Sequence, residues 1–140
     1  MRYFILSILI FTSCTTNKFI IESPQKQHKL KIEDKAGCRM IYDLTKNKNK
    51  TYVKLDISNV TRISDALFIC WDNGSGKLEI LCPGAVIVEN HLPENEFKIL
   101  TAHTLDEEGM PNVLKYHTDN CFDLDIESQK VFPKKNAVIK

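Results

Sequence analysis

Tyr52-Val53-Lys54-Leu55-Asp56-Ile57 alternates apolar and charged side chains without a break. Val53, Leu55 and Ile57 share one parity and Lys54 and Asp56 the other, which is the period of a strand with one face in a core and one in water. The same period runs upstream. Leu30 and Ile32 alternate with Lys29, Lys31 and Glu33, and Cys38, Met40 and Tyr42 share a parity opposite Ile41. Downstream, Ala66-Leu-Phe-Ile-Cys-Trp71 is apolar throughout. It is followed by the turn residues Asp72-Asn-Gly-Ser-Gly76 and by Lys77-Leu-Glu-Ile-Leu-Cys82, a strong hairpin signal. Pro83-Gly84 ends that run and Ala85–Val88 resumes it. Phe97–Thr101, Val113–Tyr116 and Phe122–Ile126 are further strand candidates, set apart by Pro93, Gly109-Met-Pro111 and Asp119-Asn120, with Val138-Ile139 as a terminal edge.

No window holds a 3.6-residue apolar period, and Leu105–Glu108 is the best place for a helical turn. Many short strands separated by turn signals predict an all-β fold, an antiparallel sandwich, with a small β-barrel as the alternative. The order Asn59, Leu67-Phe68-Ile69, Leu81-Cys82-Pro83-Gly84 resembles immunoglobulin-like sandwich domains, in which a Pro-Gly corner follows a strand.

The first fourteen residues read differently. Arg2 is the only charge before Lys18, and Tyr3–Phe11 is apolar except for Ser7. That is the charge and core length of an export signal, and it is shorter than the roughly 20 residues a membrane-spanning helix needs. The small residues Thr12 and Ser13 then lead to Cys14. Phe11-Thr12-Ser13-Cys14 resembles the lipobox of bacterial lipoprotein signal peptides, with Phe11 where Leu is usual, a departure that Bacteroidetes tolerate. The resemblance implies cleavage before Cys14, a diacyl thioether on its sulfur and acylation of the new amino group. One acyl chain binds a membrane with only about 10⁴ M⁻¹, whereas two or three make residence lasting. The expected organisation is a signal peptide at 1–13, a lipidated tether at 14–28 and a single β domain at 29–140. Asn49-Lys50-Thr51, Asn59-Val60-Thr61 and Asn73-Gly74-Ser75 match the glycosylation acceptor pattern, but such triplets arise by chance in an Asn- and Lys-rich chain and do not outweigh the leader.

Nineteen basic residues face eighteen acidic ones, and removing Arg2 with the leader leaves eighteen against eighteen. That balance gives no electrostatic footprint for nucleic acid. Apart from Cys14 the chain has Cys38, Cys70, Cys82 and Cys121, an even number that in an exported domain predicts disulfides. Cys70 and Cys82 flank the hairpin turn, yet a short loop sets Cys70 opposite Lys77, Leu78 or Glu79, so more distant partners are expected. No C-x-x-C or paired Cys/His spacing suggests zinc.

His28, His91, His103 and His117 are dispersed, and Gly74-Ser75-Gly76 serves the hairpin without an identifiable base or oxyanion hole. No catalytic residue and no cofactor is expected. Asp123, Asp125 and Glu127 share one strand parity. They are candidate ligands for a hard cation such as calcium, set against the plainer reading of a solvated strand face. The function expected from these features is a lipid-anchored envelope lipoprotein with a non-catalytic binding or accessory role. It would be held to membrane lipid through Cys14, on the outer membrane facing the periplasm, with a protein partner in the envelope. The alternatives are a small envelope hydrolase and a soluble secreted factor.

Overall fold

A computed structural model describes residues 17–23, 26–45, 50–60, 66–71, 76–102, 121–125 and 130–132. The expected strands at Val113–Tyr116 and Val138-Ile139 and the helical turn at Leu105–Glu108 lie outside them. So do the leader, Cys14, His103, His117 and Glu127.

The described residues form ten strands: β1 Asn17–Glu22, β2 Lys29–Lys35, β3 Cys38–Asp43, β4 Tyr52–Asp56, β5 Ala66–Cys70, β6 Leu78–Leu81, β7 Val86–Asn90, β8 Phe97–Leu100, β9 Cys121–Asp125 and β10 Lys130–Phe132. They make two five-stranded sheets, ordered β1-β2-β3-β4-β7 and β10-β9-β5-β6-β8. Neither sheet closes on itself, and the fold is the all-β sandwich.

The first sheet shows the alternation read from its sequence. Leu30, Ile32, Ile41, Val53 and Leu55 are fully buried, and the residues between them are half-exposed. In the second sheet β5 is buried on both faces. Leu67, Ile69, Leu78, Ile80, Phe97 and Phe122 join the core shared with the first sheet, while Phe68, Cys70, Leu81 and Cys121 form a separate buried cluster with Leu100. This accounts for the unbroken apolar run at 66–71: a strand buried on both faces has no polar parity.

Two turns are built on left-handed backbone. The β2–β3 hairpin has a two-residue loop, Ala36-Gly37, between the paired Lys35 and Cys38, with φ of +50° and +74°. Two successive positive φ values are the mark of the hairpin turn whose twist matches the strands. Gly84, at φ +79°, turns the corner after β6 as the chain passes from the second sheet to the first. It returns for β8, so β6 and β8 lie parallel with β7 as the crossover between them.

The tether expectation needs correcting. Asn17–Glu22 is an edge strand paired with β2 from Asn17↔Asp34 to Glu22↔Lys29, and Phe19 and Ile21 are buried in the core. The apolar side chains at alternate positions decide this, since they gain more from the core than a spacer would from solvation. The folded domain therefore begins well before residue 29. The immunoglobulin-like order is also not drawn. Here β1 to β4 form a continuous meander in one sheet, and the disulfide joins neighbouring strands of the other, whereas antibody domains bridge their two sheets.

Candidate binding surface

The predicted cysteine set divides. Cys70 and Cys121 stand opposite each other on β5 and β9, with Cα atoms 4.0 Å apart, and form a disulfide. Cys70 faces Glu79 on β6, as the hairpin arithmetic expected, and does not meet Cys82. Cys38 and Cys82 are not in a disulfide, which corrects the expectation that all four pair. Strand parity explains it. Arg39 points inward and reaches Cys82, so its neighbour Cys38 points to the outer face and the first sheet lies between the two sulfurs.

Arg39 is the polar centre of the interior. Its Nε donates to Asp34 Oδ1 at 2.9 Å, its Nη2 to Asp34 Oδ2 at 2.8 Å and its Nη1 to Cys82 Sγ at 3.1 Å. One side chain thereby ties β2 and β3 to the corner after β6. Its position gives it a role in holding the sheets together. At one end of the core, His28 stacks on Trp71 with ring centroids 6.1 Å apart and meets Phe97 edge-on at 5.7 Å. His28 Nδ1 and Trp71 Nε1 are buried without hydrogen-bond partners, as is Asp43 Oδ2 on β3.

The cation candidates Asp123 and Asp125 occupy β9 at register positions opposite Phe68 and Ala66. No group of three metal-ligating side chains occurs among the described residues.

The outer face of the first sheet carries a row of rings that sequence reading did not single out. Lys31 Nζ sits 4.1 Å over the Tyr42 ring, Tyr42 lies 5.9 Å from Tyr52, and Tyr52 lies 4.8 Å from His91. Lys31↔Tyr42 and Tyr42↔Tyr52 are register pairs, so the row runs straight across β2, β3 and β4. It ends at Glu89 on β7, which accepts a 2.7 Å hydrogen bond from Tyr52 Oη and lies 3.5 Å from Lys54 Nζ. The bond from Tyr52, with help from Lys54 and His91, holds the Glu89 carboxyl below its ordinary range, and the same bond pushes the Tyr52 phenol up.

Beyond that row, among the described residues, the sheet ends at β7. Val86, Ile87 and Val88 are 58%, 43% and 50% exposed, the only large hydrophobics so exposed among the described residues. Ile87 pairs with Leu55, which is fully buried, so β7 overhangs the core. The register slips between Lys54 and Leu55, leaving Val88 as the additional residue of a bulge. Sequence reading placed a strand here but gave no cause to expect it at an edge, because edge position depends on sheet order.

No known family model, curated protein or solved structure matches this chain.

Proposed function

We propose that this protein is a lipid-anchored envelope lipoprotein that works by binding, with strand β7 as its contact surface. The observation that carries the binding role is the exposure of Val86, Ile87 and Val88 together on the last strand of a sheet. An edge strand offers unpaired backbone donors and acceptors, and native edges are usually shielded by charge or cover. Such an edge is the substrate of strand addition, in which main-chain hydrogen bonds give affinity and alternate side chains give selectivity. The anchoring half rests on the leader: Arg2, the apolar run Tyr3–Phe11 and the lipobox-like Phe11-Thr12-Ser13-Cys14.

Both halves are tested on the full chain in its own envelope. Wild type is expected in the membrane fraction and Cys14→Ala in the soluble fraction; a Cys14→Ala chain that stays on the membrane removes the anchor. Crosslinking in the intact envelope, before extraction, is expected to give a particle larger than one chain, and Val88→Glu to return it to single-chain size. A wild type already at single-chain size removes the binding role.

A further inference from the structure

The backbone of β7 specifies which residue is open to a partner. Asp43 N donates to Thr51 O at 2.9 Å, and His91 N donates to Tyr52 O at 2.7 Å. Backbone groups alternate sides along a strand, so Thr51, Val53 and Leu55 address β3 while Tyr52, Lys54 and Asp56 address β7. Val86 opposite Asp56 and Glu89 opposite Lys54 thus use their backbone groups on β4. Ile87, opposite Leu55, turns its N–H and C=O to the open side.

We propose that β7 pairs with β7 of a second copy of this chain, antiparallel, about a two-fold axis at Ile87; this rests on the binding reading above and names its partner. In that pairing the two Ile87 residues stand opposite each other and exchange both of their free hydrogen bonds. Val86 of each copy faces Val88 of the other, so the exposed apolar side chains cover one another. Ala85 faces Glu89, and no like charges are brought together. Glu89 already has Tyr52 and Lys54 as partners on its own chain. With eighteen charges of each sign after loss of the leader, the copies do not repel as wholes. A patch that matches itself across a two-fold axis is what an isologous dimer requires.

The bulge at Val88 keeps this ladder short, because Glu89 has turned its backbone groups inward. The contact is therefore smaller than the roughly 1,600 Å² of a standard stable interface. It is populated where anchoring confines the copies to one surface and raises their effective concentration.

The register gives the test. Two residues in a hydrogen-bonded antiparallel pair have Cα atoms about 5.5 Å apart, inside the range a disulfide spans. In full-length Cys38→Ser protein in its envelope, Ile87→Cys is expected to give a reducible dimer on non-reducing gels. Asn90 is also exposed but lies far from the axis, and Asn90→Cys is expected to stay monomeric. No dimer at Ile87, or equal dimer at both positions, overturns the pairing. If Ile87→Cys gives none while the particle crosslinked in the intact envelope contains a different protein, the second copy is excluded and the binding reading stands. If that particle is a single chain, both fall.

Discussion

Arg39 and Asp34 are joined by two parallel hydrogen bonds of 2.9 and 2.8 Å, and the Arg39 side chain has no solvent exposure. A buried guanidinium is tolerated only while its carboxylate stays in place, since an unpaired buried charge costs far more than the pair contributes. Arg39→Ala and Asp34→Ala are each expected to lower unfolding stability by about 3–5 kcal/mol in urea titrations. Arg39→Met with Asp34→Leu is expected to recover most of that loss. Single variants within about 0.5 kcal/mol of wild type, the range of ordinary surface changes, would show that the pair is not buried in solution.

The cysteines provide a count. Alkylation of the denatured mature chain without reductant is expected to modify Cys38 and Cys82 alone, with Cys70 and Cys121 added after reduction. The bridge spans 51 residues of sequence, and from the entropy of a loop that long its removal in Cys70→Ala with Cys121→Ala is expected to cost about 4 kcal/mol. A chain with no alkylatable thiol before reduction contradicts the parity argument that separates Cys38 from Cys82.

Ala36 sits at φ +50° in the β2–β3 turn, where a side chain without a local hydrogen bond is disfavoured by about 1–2 kcal/mol. Asn is among the residues such turns prefer ahead of Gly. Ala36→Asn is expected to raise the unfolding midpoint, with a gain of up to about 1 kcal/mol. A lowered midpoint would mean that the turn has a different backbone.

The Tyr52–Glu89 hydrogen bond sets a pH window. Glu89 binds its proton more weakly in the folded state, so its contribution is full above the ordinary 4.5 and is lost as pH falls through the lowered folded value. Tyr52 holds its proton more tightly, so its contribution is full below the ordinary 10.0 and is lost as pH rises through the raised folded value. Tyr52→Phe is expected to move the Glu89 titration, followed by carboxyl NMR, up towards 4.5. An unmoved Glu89 would mean that the bond does not form.

Much of the sandwich was legible because its cause is local. The alternation at 52–57 and 29–33 describes strands with one wet face, and the unbroken run at 66–71 describes a strand buried on both. β1 was readable in the same way, from Phe19 and Ile21, but the polar residues and proline around it pointed to a spacer. The inward Arg39 shares its parity with the buried Ile41, but the sequence of β3 does not say which of its two faces meets the core. Which cysteines pair, and that β7 ends a sheet, depend on strand order. That order comes from the packing of distant segments and leaves no periodic trace in the chain.

A photo-reactive residue at Val88, activated in intact cells, tests the central claim most directly, with Lys18 on the opposite edge strand as the comparison site. The expected result is a discrete covalent adduct at Val88, its mass that of two chains, and little or none at Lys18. No adduct at Val88, or the same diffuse labelling at both positions, would contradict the assignment of β7 as the surface through which this protein works.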